Sequence, residues 1–193
     1  MPAADVTITV TFTHVLYSII SDVTPASSGN VSFKKSGSED GITQAYYNDE
    51  IIVEATPATG YELVSIKWKE EGGSDTDITS TKTFTMPAKA VTVTVTFKKT
   101  DYTITKTTAV NGSFTVKRGD SEVTTANYQD QITVVPDPDD GYVLDAITVK
   151  DAADASVDVT DGKFTMPAKA VTVTVTFKAQ APGTTPDYEI TNW

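Results

Sequence analysis

The residues able to do chemistry are few and scattered. His14 is the only histidine and there is no cysteine, so a thiolate nucleophile and a thiolate metal site are excluded, and a histidine-based triad or zinc site is not expected. The position matching His14 in the second half of the sequence is Lys99. A carboxylate pair is the remaining option for acid–base work, and no spacing singles one out, so no catalytic and no cofactor-binding residue is assigned. Asp137-Pro138-Asp139-Asp140-Gly141, followed by Asp145, Asp151, Asp154, Asp158 and Asp161, offers hard oxygen ligands for calcium. The spacing is not that of an EF-hand, and the matching Thr56-Pro57-Ala58-Thr59-Gly60 has no acid. Solvated turn acids are therefore the expectation, with no metal ligand assigned.

Two features suit binding better than catalysis. Arg118-Gly119-Asp120 is an integrin-type tripeptide placed where a hairpin tip is expected, and it contains the only arginine of the chain. Gly and Asp are also ordinary turn residues, and the first half reads Lys35-Ser36-Gly37-Ser38 there. Tyr46, Tyr47 and Trp68 are the aromatic candidates for a sugar platform. Tyr47 aligns with Tyr128 and is expected to pack, Trp68 aligns with Val149 and is expected at the core or its edge, and Tyr46 is the one expected to face solvent. Candidate partner contacts are thus Tyr46, Arg118, Gly119 and Asp120, toward a host protein or a glycan.

The elements that must hold these residues follow from composition. Of 193 residues, 34 are Thr and 22 are Val, against 3 Leu and 1 Arg, a mixture that favours pleated sheet over helix. Residues 84–98 read FTMPAKAVTVTVTFK, and residues 164–178 repeat all fifteen letters. Looser matches extend upstream: Gly60-Tyr61 recurs as Gly141-Tyr142, and Tyr47-Asn48-Asp49-Glu50-Ile51 as Tyr128-Gln129-Asp130-Gln131-Ile132. In Val91-Thr92-Val93-Thr94-Val95-Thr96-Phe97 the alternation places the valines and Phe97 on one face and the threonines on the other, which predicts a half-buried antiparallel strand. The threonine rows have the Thr-x-Thr spacing of ice-binding solenoid faces, but ordinary β-propensity accounts for them.

Phe84-Thr85-Met86 predicts a short strand joined to the closing one by a hairpin or a corner between sheets. Further strands are predicted near 102–107, 113–117, 130–136 and 142–149, and a helical turn has room only near 40–47 and 121–128. About six strands in some 80 residues predict an all-β fold of two tandem modules, each a small sandwich or curled sheet, arranged end to end.

The domain boundaries expected are a closing strand of a preceding repeat at 1–13, repeat 1 at 14–99, repeat 2 at 100–180, and a linker with the opening strand of a following repeat at 181–193. The two partial ends are expected to pack on their neighbouring repeats, as in a segment of a longer array, and the short junction around Lys98–Asp101 is expected to make a stiff rod.

The order Tyr-Thr-Ile-Thr, a Gly-containing turn, Asp-Gln-Ile-Thr-Val, Gly-Tyr, and Phe-Thr-Met-Pro-Ala followed by alternating Val and Thr resembles the divergent B-repeats related to those of internalin B. The resemblance covers both repeats and both partial ends. It departs where a tryptophan often follows Gly-Tyr, a place taken here by Ile66 and Ile147. It implies an extracellular, array-forming, non-catalytic bacterial module, related to the β-grasp fold, in a secreted or surface protein.

Charge narrows the partners further. Lys+Arg total 15 and Asp+Glu 26, a net charge of −11, so neither nucleic acid nor an anionic membrane surface is an expected partner. No stretch approaches the roughly 20 apolar residues of a membrane span, and the opening residues do not read as a signal peptide. An exported parent protein is expected to contribute this chain as a mature or excised piece. The leading expectation is a stalk or spacer holding a functional domain away from the envelope. The alternatives are an adhesive or carbohydrate-binding module using loop tips, or a fibre subunit assembling head to tail by strand addition.

Overall fold

In the computed structural model of the chain, residues 7 and 9–181 are described, and they contain strands and turns but no helix. The fold is all-β in two tandem modules, and the chain divides between Lys99 and Thr100. The first unit carries β1 (Leu16–Thr24), β2 (Gly29–Lys35), β3 (Gln44–Tyr46), β4 (Glu50–Pro57), β5 (Tyr61–Glu70), β6 (Thr76–Asp77), β7 (Thr83–Thr85) and β8 (Val91–Lys99). The second carries β9 (Asp101–Lys106), β10 (Gly112–Arg118), β11 (Ser121–Glu122), β12 (Thr125–Asn127), β13 (Gln131–Pro138), β14 (Tyr142–Asp151), β15 (Ser156–Val157), β16 (Lys163–Thr165) and β17 (Val171–Ala179).

Each unit is built from two open sheets facing one another. In the first, a sheet of order β3-β1-β8-β5-β6 covers a sheet of order β2-β4-β7; in the second, β12-β9-β17-β14-β15 covers β11-β10-β13-β16. One apolar core lies between the layers of each unit. In the first it joins Ile19, Ile66, Val91, Val93, Val95 and Phe97 from the larger sheet with Phe33, Ile51, Val53 and Phe84 from the smaller. The strict alternation of β8 does what it predicts: Val91, Val93, Val95 and Phe97 are buried, while Thr92, Thr94 and Thr96 are partly exposed.

The closing strand differs from the expectation in its partners. It is not simply antiparallel: β8 lies at the centre of its sheet, antiparallel to β5 and parallel to β1. In the second unit β17 stands in the same way between β14 and β9. Phe84-Thr85 is a corner and not half of a hairpin with β8, since β7 pairs with β4 in the other sheet. Pro87 lies in the connection between the two sheets, where the missing N–H removes a donor from the turn.

The regions considered for a helical turn hold short strands instead, β3 and β12. There the small Ala45 and Ala126 point inward and are buried, so a two-residue side-chain period wins over any helical one. Of the proposed strand at 1–12, only residues 7 and 9–12 are described, and these are exposed and outside any strand. The opening strand expected at 187–191 lies outside the described residues.

Candidate functional site

The most constrained polar constellation is a turn that both units build in the same way. Between β3 and β4 the chain reverses through Asn48 (φ 69°), and between β12 and β13 through Gln129 (φ 68°). The following acid closes the turn: the backbone N–H of Tyr46 donates to Asp49 Oδ2 at 3.0 Å, and that of Asn127 donates to Asp130 Oδ2 at 3.0 Å. This is the local side-chain-to-backbone bonding for which Asp is suited.

The methionine of the repeated signature locks the same turn from the other side. Met86 N–H donates to the Asp49 carbonyl and Met86 carbonyl accepts from Asn48 N–H; Met166 does likewise with Asp130 and Gln129. Both methionine side chains are wholly buried.

A cation completes each copy. Lys35 Nζ lies 2.7 Å from Asp49 Oδ1, and Arg118 Nη1 lies 2.8 Å from Asp130 Oδ2. Asp49 is only 14% exposed, and the Lys35 ammonium, assisted by the Tyr46 N–H, holds its carboxyl below the usual range for aspartate despite the opposing effect of burial. Asp49 and Asp130 could have been found from the repeat, because both sit in matching Tyr-x-Asp-x-Ile frames. Their partners are harder to find, since Lys35 and Arg118 reach the turn from the ends of β2 and β10.

Around this turn the units diverge. In the first, His14 and Tyr46 pack with ring centroids 5.2 Å apart at 58°, and with Lys35, Tyr47 and Asp49 they line a shallow groove. Tyr46 is 40% exposed and Tyr47 60%. The expectation that Tyr47 packs is therefore corrected: it sits in the turn after β3 and presents its ring to solvent. Aromatic rings beside a fixed ion pair can stack on a sugar ring and bond its hydroxyls. In the second unit the counterpart of Tyr46 is Asn127, whose Nδ2 is spent on the Thr100 carbonyl at 3.2 Å and Asp101 Oδ1 at 2.7 Å.

Arg118-Gly119-Asp120 does lie on a hairpin, with Arg118 opposite Ser121 and Gly119 (φ 60°) and Asp120 forming the turn. A positive φ at the first central position is what a two-residue loop of this kind favours, and glycine takes it without strain. The guanidinium is directed to Asp130, the counterpart of the Lys35–Asp49 pair. Trp68 is partly buried and stacks on Phe84 with centroids 4.9 Å apart.

The acids of the second unit are largely engaged one by one. Asp151 Oδ1 accepts from the N–H groups of Ala153 and Ala155, and its Oδ2 lies 2.9 Å from Lys169 Nζ. That ammonium, ahead of the two N–H donors, holds the Asp151 carboxyl below its usual range. Asp145 pairs with Lys178 and Asp154 with Lys150. Among the described residues, no three His, Cys, Asp or Glu side chains converge to hold a metal.

The family model described as the divergent InlB B-repeat domain matches the chain twice, over residues 21–101 and 102–181. No curated protein and no solved structure matches it.

Proposed function

The chain belongs to the divergent InlB B-repeat domain family, and from that premise we propose that it is a non-catalytic spacer in the surface or secreted part of a bacterial protein. What carries the reading is where the two units agree and where they differ. They agree in the buried frame, including the signature methionines, the Asp turn and its cation, and the fifteen identical residues of the closing segment. They differ at the surface, where Tyr46 is matched by Asn127 and Arg118-Gly119-Asp120 by Lys35-Ser36-Gly37-Ser38. A ligand site repeated for avidity would keep its surface alike from copy to copy. A spacer needs only the frame.

A single residue, Thr100, separates β8 from β9, so one repeat follows the next with no linker segment to hold a separate function. The same family reading supports an extracellular or cell-surface location.

The groove supports one second reading, an adhesive or carbohydrate-binding module acting through Tyr46 and Tyr47. Screening the chain on a glycan array and against host matrix proteins separates the two. The spacer reading expects no saturable ligand. Saturable binding that is lost in Tyr46→Ala, or integrin binding lost in Asp120→Ala, replaces it with the adhesive one.

A further inference from the structure

The first and last strands of each unit lie side by side and run in the same direction. β1 pairs with β8 from Ile19↔Val91 to Thr24↔Thr96, and β9 pairs with β17 from Ile104↔Val171 to Lys106↔Val173. The chain enters a unit at the N-terminal end of the first strand and leaves at the C-terminal end of the last. In a parallel pair those two points are at opposite ends of one ladder. Tension along the chain therefore pulls the two strands past each other, and the evenly spaced bonds of the ladder share the load instead of opening in turn.

The rest of the sheet supports this loading. The last strand cannot peel away, because β8 is held along its other edge by β5 from Tyr61↔Lys99 to Glu70↔Val91, and β17 is held by β14 in the same way. The valines of β8 also anchor it in the core. The first strand is held on its outer edge by β3 or β12, over three register pairs in each unit.

We propose that each unit is a shear clamp that resists tension along the chain, and that the first unit is the stronger. The proposal rests on the spacer reading, since a chain joining an envelope to an attached domain is loaded through its ends. The difference between units lies in the loaded ladder. It runs for six register pairs in the first unit and three in the second.

The cause is visible in the sequence. The stretch from Ile104 to Gly112 is two residues shorter than its counterpart from Ile19 to Gly29, so the chain must leave β17 early to reach β10. Past Lys106 the ladder continues only through Thr107, whose N–H and hydroxyl both donate to the Val173 carbonyl. Six shared pairs against three set the expected ratio of unfolding forces at about two.

The chain has no cysteine, so pairs of introduced thiols define the pulling points uniquely in the 193-residue protein. Thr13→Cys with Thr100→Cys shears the first unit. Thr100→Cys with Gln180→Cys shears the second. Thr13→Cys with Ala88→Cys holds the first unit at two points on the same end of its ladder and unzips it bond by bond.

Single-molecule force spectroscopy should give a first-unit shear force about twice that of the second and several-fold above the unzipping force. A first-unit force no higher in shear than in unzipping overturns the clamp. A second-unit force equal to or above that of the first overturns the ladder-length argument. The spacer reading fails on a different observation, the discovery of a saturable ligand, so the two fail separately.

Discussion

Gly29 tests the packing of the frame at a point where one atom suffices. It begins β2, and a Cβ placed on it would lie 2.7 Å from Cε2 and Cζ of Phe97 and 2.7 Å from the Thr56 carbonyl oxygen. Favourable contact needs about 3.5–4 Å, so something must move by close to 1 Å. Phe97 is enclosed in the core of the first unit, and Thr56 belongs to β4, paired with β2 beside that very position. Neither yields cheaply.

Overpacking of this kind costs about 1–3 kcal/mol, and at about 4–8 °C per kcal/mol for a domain of this size Gly29→Ala should lower the first unit's melting temperature by about 10 °C. Differential scanning calorimetry of the whole chain provides the assay. Gly41→Ala is the control: nothing lies within 4 Å of its Cβ and its φ is not positive, so it should leave the transition unmoved or raise it slightly. Phe97→Leu in the Gly29→Ala background should recover part of the coupling, because the atoms that clash are removed. Equal melting of Gly29→Ala and Gly41→Ala would refute the packing argument.

The acid response is the second expectation. The Asp151 carboxyl is held below its usual range by Lys169 and two N–H donors, and Asp49 is held down by Lys35. Lowered folded values mean stability that is complete above the ordinary carboxylate range near pH 4 and lost as pH falls through the folded values. Asp151→Asn should therefore melt below the native protein at pH 7, with the gap closing toward pH 2–3; a gap independent of pH would contradict it. Calcium and EDTA should leave the melting temperature unchanged, because Asp145, Asp151 and Asp154 already face lysines; a rise with calcium would locate a metal site in the second unit.

How far the sequence reached depends on the range of each interaction. Alternation is local, and the inward valines of β8 follow from it directly. The hairpin at Gly119-Asp120 and the turn at Asn111-Gly112 are local too, and both are present. The parallel pairing of β1 with β8 is not local: it joins residues about 70 positions apart, and nothing in LYSIISDVT says whether its partner runs with it or against it.

The Asp49 turn is intermediate in range. Its acid is visible as a repeated letter, while its cation comes from another strand and its second lock from Met86. Tyr47 misleads for a related reason. Its recurrence as Tyr128 suggests a core residue, yet both follow a strand whose inward position is already taken by alanine. Recurrence between repeats marks what the frame tolerates as well as what it buries.

The spacer reading takes the chain to be borne by a longer protein with a functional domain, and exchanging one unit for the other in that setting tests it most directly. Residues 14–99 are replaced by a second copy of 100–180, which removes the Tyr46 groove while keeping the number of repeats. The activity of the attached domain at the cell surface is then measured beside a variant lacking one unit. A spacer predicts that the exchange retains activity and the deletion reduces it. Loss of activity in the exchange equal to that in the deletion, reproduced by Tyr46→Ala alone, would show that the surface of the first unit, and not its length, is what the protein uses.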